Sequence, residues 1–310
     1  MKKLDESARD VFIIAVTPFT DNGEIDYPSV DRMVEFYLER GVVGMTILGM
    51  MGEAQKLTAG ESVAVARHVL KRVGERVPVV VGVSSPGFAA MRELTAAVMD
   101  AGAAGVMVAP PSTLKTDADI VRYYTNVVAA IEADVPFVLQ DYPQSTGVII
   151  APSVIVEIVK RLPSCVMLKH EDWPGLAKIA EVRAASQRGD TRRISILVGN
   201  GAIMLPEELG RGVDGAMTGF SYPEMMVEVC RAHFAGKLNR AADLFDAYLP
   251  LARYELQPGL GMAIRKYVLA QRGAIASPAM RKPAPLLSAD DKAEIGRLME
   301  RQARRLKALG

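Results

Sequence analysis

Eight short runs of apolar, largely β-branched residues recur along the chain with helical patterns between them, and this alternation limits the fold more than any other feature. The runs begin at Val11 (VFIIAVTPF), Val42 (VVGMTILGM), Val77 (VPVVVGVSS), Gly105 (GVMVAPP), Pro136 (PFVLQDYP), Cys165 (CVMLKHED), Ser195 (SILVGNG) and Asp214 (DGAMTGF). Their starts are spaced by roughly 30 residues, shortening to about 19 at the last step, which is the period of a βα unit. Runs that stay apolar, rather than alternating, suit strands buried on both faces of a parallel sheet. Eight of them predict an α/β fold of the (β/α)8 barrel type. A doubly wound open sheet is the alternative. It would carry a glycine-rich phosphate turn after the first strand, where this chain has Thr17-Pro18-Phe19.

Past the eighth run the pattern is wholly helical. Tyr222 to Gly236 completes the barrel, and helical periodicity continues beyond it with interruptions near Pro258-Gly259 and Gly273. The expected organisation is a barrel over residues 1–237 and a helical extension packed on it over 238–310. Half of the 310 residues are hydrophobic and 24% are charged, enough for a large core. The 37 basic residues nearly cancel the 36 acidic ones, so charge gives no reason to expect nucleic acid or an anionic membrane as partner. Cys165 and Cys230 sit in apolar stretches, which excludes a disulfide framework, and the three histidines share no metal-ligand spacing. No apolar run approaches the roughly 20 residues of a membrane span, and Met1 to Asp10 lacks the apolar core of a signal peptide. A soluble cytoplasmic protein is expected.

In a barrel the carboxyl ends of the strands converge on one face, and the active site lies there. Lys169 ends the sixth run, after Cys165-Val166-Met167-Leu168. A buried lysine loses hydration in its charged form, which favours the neutral amine, a nucleophile that forms Schiff bases with carbonyl compounds. The alternative is a stabilising pair with Glu171 or Asp172. Gly49-Met50-Met51-Gly52-Glu53 is a glycine-bracketed loop at the end of the second strand. Its backbone N–H groups could hold a carboxylate, or it could be an ordinary tight turn. Glu53 is expected to open the second helix, where a carboxylate complements the helix dipole.

Taken together, Val16-Thr17-Pro18-Phe19, Gly23-Glu24-Ile25-Asp26, Gly49-Met50-Met51-Gly52-Glu53 and Lys169 at the end of strand six resemble the dihydrodipicolinate synthase/N-acetylneuraminate lyase family. The resemblance runs from about Val11 to the C-terminal helices. It implies a homotetramer or homodimer, a lysine Schiff base with pyruvate or another 2-oxo acid, and neither metal nor organic cofactor. Gln140-Asp141-x-Pro143, Lys169-x-Glu171-x-x-Gly175, Gly215 to Gly219 and the stretch Leu249 to Gly259 are similar to the branch of dehydratases acting on 2-keto-3-deoxy sugar acids, with L-2-keto-3-deoxyarabonate dehydratase as its nearest member.

Departures from the family's synthases are as informative. Met50 and Met51 replace loop hydroxyls, Gln140 replaces a proton-relaying tyrosine, Pro111 and Ser112 replace a tyrosine pair, and Ser145 replaces the arginine that takes the second substrate's carboxylate. A glutamine amide exchanges no proton usefully near neutral pH. The methionines suggest a pocket that could suit a less polar acid.

The residues present fit a dehydration. Lys169 forms the iminium at C2, a base removes a C3 proton, and the enamine expels a hydroxyl at C4. Glu171, two residues on and so on the same side, is the expected base or proton carrier, with Tyr142 as a substitute relay and Gln140 as a neutral hydrogen-bond partner to substrate. Gly49, Met50, Met51, Gly52, Thr17, Thr218 and Gly219 complete the expected binding set. His170 alternates away and is expected to pack against helices. Two other readings stay open. One is an aldolase of the same family, including 4-hydroxy-tetrahydrodipicolinate synthase, and the other is a non-catalytic 2-oxo acid binding protein.

Overall fold

The structure, a computed structural model, describes residues 2–310. Eight parallel strands, β1 (Asp10–Ile14), β2 (Gly44–Ile47), β3 (Val79–Gly82), β4 (Gly105–Val108), β5 (Phe137–Asp141), β6 (Cys165–His170), β7 (Ser195–Val198) and β8 (Gly215–Thr218), close into one barrel. β8 pairs back onto β1 from Asp10↔Gly215 to Ile13↔Thr218, which removes the open-sheet alternative. Each apolar run supplies one strand. Around the barrel stand α1 (Tyr27–Glu39), α2 (Ala59–Val73), α3 (Phe88–Asp100), α4 (Asp117–Ile131), the short α5 (Pro143–Thr146), α6 (Pro152–Arg161), α7 (Leu176–Gln187), α8 (Leu205–Gly210) and α9 (Pro223–Phe234). No helix among the described residues is long and apolar enough to cross a membrane.

Side chains alternate along each strand and build two cores. Phe12, Ile14, Val80, Met107, Val138, Met167, Leu197 and Met217 fill the barrel, as bulky apolar layers do in this architecture. Their neighbours, Val11, Ile13, Val79, Val81, Leu139 and Leu168 among them, pack under the helices. One irregularity sets the site. Between β5 and β6 the register slips by a residue, so that Phe137 is opposite Cys165 but Val138 is opposite Met167. A one-residue slip exchanges the faces of everything after it. It puts Met167 and Lys169 in line with inward-facing Val138 and Gln140, and turns Leu168 and His170 outward. His170 lies buried outside the barrel, its Nδ1 3.5 Å from Asp141 Oδ2.

Two local expectations need correction. Helix α2 begins at Ala59 with a capping box, Thr58 accepting from Glu61 N while the Glu61 side chain accepts from Thr58 N. Glu53 therefore lies outside that helix. It sits in the left-handed region (φ 50) between two single 3₁₀ turns, Met50–Gly52 and Ala54–Lys56. The C-terminal region is α10 (Leu238–Tyr254), α11 (Gly261–Gln271) and α12 (Ala289–Leu309), with α10 packed against α9 and α12. Between α11 and α12, residues 272–288 form no helix despite the expected helical periodicity. Polar contacts with distant residues fix this segment instead. Ala276 N donates to Ser29 Oγ at 2.9 Å, and Arg281 Nε donates to Gly23 O at 2.9 Å.

Candidate active site

A cavity of about 720 Å³ opens at the carboxyl ends of the strands, where the barrel argument places it. At its floor Lys169 and Gln140 are register partners on β6 and β5. The chain stays extended past Lys169, because Glu171 N donates to Asp141 O at 2.8 Å and Gly199 N donates to His170 O at 2.9 Å. Glu171 thus points to the same side as Lys169, and Lys169 Nζ donates to Glu171 Oε1. Gln140 Nε2 donates to that same oxygen at 2.7 Å.

Both members of this pair are nearly inaccessible, Lys169 at 4% and Glu171 at 6% exposure. The backbone of Glu171 is held as firmly as its side chain. Its carbonyl accepts from Asn200 Nδ2 at 2.9 Å and from the Gln144 amide at 2.8 Å. Gly199 leaves the space that the Glu171 side chain occupies, since a β-carbon there would collide with Glu171 Cγ. An amine hydrogen-bonded to a carboxylate at the floor of a pocket can serve as a nucleophile with a proton acceptor beside it.

Gln140 lines the cavity, and one of its amide N–H groups is bonded to Glu171, which helps to orient the carboxylate. Tyr142 does reach the cavity, its ring centroid 6.0 Å from Lys169 Nζ. Burial raises the pKa of its phenol and the Glu171 carboxylate raises it further, against a smaller opposing effect of Arg265. At neutral pH it is a hydrogen-bond donor.

Gly49, Met50 and Met51 line the cavity at the start of their 3₁₀ turn. Within the turn, Gly52 N donates to Gly49 O and Glu53 N to Met50 O, both at 3.0 Å, while the Met50 and Met51 N–H groups have no acceptor among the described residues. Gly52 is buried in the same turn and does not line the cavity. Thr17 also stays behind the turn, outside the cavity lining, because its hydroxyl donates to Gly52 O at 2.7 Å. It fixes the turn and offers nothing to a ligand. Thr218 and Gly219, at the end of β8, line the wall beside the Met51 side chain. Thr218 Oγ1 accepts from Gly201 N at 2.9 Å, and Gly219 makes room for the Met51 thioether.

Several lining residues have no counterpart among those expected from the sequence. Gln144 and Trp173 stand at the rim, Asn200 follows β7, and Glu255 and Arg265 arrive from the C-terminal helices. Arg265 Nε donates to Glu255 Oε2 at 2.9 Å, and the Ser221 hydroxyl donates to Glu255 Oε1. Burial pushes the Glu255 carboxyl up and the Arg265 guanidinium pulls it back. The sequence signal for this pair is the break at Pro258-Gly259, which folds α11 back so that residues ten apart can meet. The C-terminal region therefore builds part of the site as well as packing on the barrel. Among the described residues no three His, Cys, Asp or Glu side chains cluster as a metal ion would need.

Comparison with known proteins places this architecture. The profile of the dihydrodipicolinate synthetase family matches residues 7–302. An L-2-keto-3-deoxyarabonate dehydratase from Azospirillum brasilense is 32% identical over 293 residues, covering 93% of this chain and 92% of that protein. A 4-hydroxy-tetrahydrodipicolinate synthase from Thiobacillus denitrificans is 29% identical over 285 residues, covering 91% of this chain and 93% of the other. Among solved structures, dihydrodipicolinate synthase from Rhodopseudomonas palustris superposes with a TM-score of 0.96 at 51% identity, over 97% of this chain and all of that one (100%).

Proposed function

The chain belongs to the dihydrodipicolinate synthetase family, and from that premise we propose that it is a lyase forming a Schiff base on Lys169 and removing water from a 2-keto-3-deoxy sugar acid. The observation that carries this reading is the contact of Glu171 with Lys169 Nζ. Once the amine has condensed with C2 of a 2-oxo acid, C3 lies only two bonds from that nitrogen. A carboxylate touching Nζ is thus placed to take a proton from C3.

The neutral Lys169 amine adds to the C2 carbonyl and a water leaves, giving the iminium. Glu171 accepts the C3 proton, and the electrons of the C3–H bond move into the enamine. The enamine then expels the C4 oxygen, which leaves as water with the proton that Glu171 or the Tyr142 phenol returns. Hydrolysis of the resulting iminium frees Lys169. The iminium is itself the electron sink, so the scheme calls for no metal or organic cofactor. Gln140 and the backbone contacts of Glu171 keep the base aimed throughout.

A second reading, carbon–carbon bond formation or cleavage with pyruvate, has support of its own. The Rhodopseudomonas palustris neighbour at 51% identity is described as a synthase, and the same Glu171 could deprotonate a pyruvate imine. Against it stands Ser145, which offers no cation for an aldehyde substrate's carboxylate.

The test is borohydride reduction in the presence of pyruvate or of 2-keto-3-deoxy sugar acids, followed by mass analysis of the Lys169 peptide and of released products. An adduct with the sugar acid that has lost a second water, beyond the one released when the imine forms, supports the dehydratase. Release of pyruvate from it would favour the aldolase. If Lys169→Ala still binds these acids as tightly as the native protein and no adduct forms, the protein binds 2-oxo acids without catalysis.

A further inference from the structure

Two cations and two carboxylates line the cavity, and they stand as two separate pairs, Lys169 with Glu171 and Arg265 with Glu255. The first pair performs the chemistry just described. The second is left without a task. Arg265 reaches the cavity from α11 and is 7% exposed. Glu255 holds its Nε at 2.9 Å, and Glu255 is anchored in turn by the hydroxyl of Ser221 and, at 3.3 Å, by the Ser221 N–H. One edge of the guanidinium is therefore fixed.

The other edge is not. Nη1 faces the Met51 thioether at 2.9 Å, a weak acceptor, and Nη2 has no acceptor among the described residues. Met51 belongs to the turn whose Met50 and Met51 N–H groups are also without acceptors. The half-satisfied guanidinium edge thus lies against the side chain of Met51, a residue of the turn that carries two unpaired backbone donors.

We propose that the free edge of Arg265 binds the C1 carboxylate of the 2-oxo acid, and so takes over the anchoring that side-chain hydroxyls on the Met50–Met51 turn could have given. The assignment rests on the Schiff-base reading above. A planar guanidinium edge matches the two oxygens of a carboxylate, and a thioether is readily displaced from it. Charge also bounds the substrate class. Lys169 and Arg265 each face their own carboxylate, and of the two only the Arg265 guanidinium keeps a free edge, so one incoming carboxylate finds donors and a second finds none. Monocarboxylic 2-oxo acids are therefore preferred over 2-oxo dicarboxylic acids.

The experiment measures the concentration of pyruvate that half-saturates borohydride trapping on Lys169, beside the same measurement with hydroxyacetone, a ketone lacking the carboxylate. The native protein, Arg265→Met and Arg265→Lys are compared. Loss of a charge-assisted pair should raise the pyruvate value by about 10- to 100-fold in Arg265→Met, with partial recovery in Arg265→Lys. The hydroxyacetone value should stay within about twofold, since that ligand has no carboxylate for the guanidinium to pair with. If Arg265→Met does not fold, Arg265→Lys alone decides the matter, through a pyruvate value that rises while the hydroxyacetone value does not. Equal shifts for both ligands, or none for pyruvate, overturn the assignment of Arg265. No pyruvate adduct in the native protein overturns the Schiff-base reading and this assignment with it.

Discussion

Lys266 Nζ lies 2.6 Å from Glu53 Oε1 with both side chains buried, and the pair ties α11 to the turn that follows β2. Lys266 spends its other two protons on Thr17 O at 2.8 Å and Ala279 O at 2.9 Å. Glu53 Oε2 in turn accepts from Lys56 Nζ at 2.9 Å and from Arg281 N at 3.2 Å. Such a pair is weak evidence of net stabilisation, but removing one partner strands the other charge in the interior. Lys266→Met is expected to lower the free energy of unfolding by about 3–5 kcal/mol. The double variant Lys266→Met/Glu53→Leu should recover part of that loss. Urea melts of the three proteins check both statements, and a single-variant loss below about 1 kcal/mol would contradict the first.

Glu208 on α8 gives a pH signature. Burial, helped by neighbouring Glu207, pushes its carboxyl up to about 8, and its Oε2 has no hydrogen-bond partner. Between about pH 4.5 and pH 8 the folded chain keeps a proton that the unfolded chain has released. Stability from this group is therefore complete below pH 4.5 and is lost as pH rises through 8. Glu208→Gln removes the dependence. The variant should match the native protein near pH 4.5 and exceed it by about 3 kcal/mol at pH 8. A stability difference that does not change with pH would rule this out.

The strands and Lys169 are legible in the sequence for one reason: a parallel barrel wall needs residues apolar on both faces, so a charge ending such a run stands out. The register slip between β5 and β6 is not legible. Val166, Met167 and Leu168 are all apolar, and nothing in their order says which one faces inward, although that choice aims Lys169 into the barrel. Glu255 and Arg265 are hidden for another reason. Glu255 caps the end of α10 and Arg265 lies within α11, both ordinary places for a charged residue, and their meeting depends on the angle of the Pro258-Gly259 break. Thr17 reads as a ligand by its position at a strand end, and only the bond to Gly52 O reveals it as a support.

Two glycines at the barrel mouth should respond differently to alanine. At Gly82 a β-carbon would run into the backbone carbonyl of Leu48, a residue already held at φ 54, and neither side can yield. At Gly219 it would meet chiefly the end of the Met51 side chain, which can swing aside. Gly82→Ala is expected to cost about 1–3 kcal/mol or more in stability, as overpacking does. Gly219→Ala should cost less in thermal melts. It should still raise the pyruvate concentration needed for trapping, because Met51 then crowds the Arg265 edge. The reverse order of stabilities would show that the Leu48 carbonyl gives way after all.

Glu171→Gln separates the formation of the imine from the chemistry that follows it. The amide keeps the size of the carboxylate and can still accept from Gln140 Nε2, so the floor of the cavity should keep its shape. What it loses is the capacity to take the C3 proton. Turnover should fall by about 10²- to 10⁴-fold, the usual contribution of a positioned general base. Trapping of a 2-oxo acid on Lys169 should persist, whereas Lys169→Ala abolishes both. Exchange of the C3 protons of pyruvate with deuterated water, followed by NMR, reads the proton step alone and should slow in proportion to turnover. If exchange continues at the native rate in Glu171→Gln, the base is another group, and Tyr142, the next titratable side chain at the cavity floor, is the one to change next.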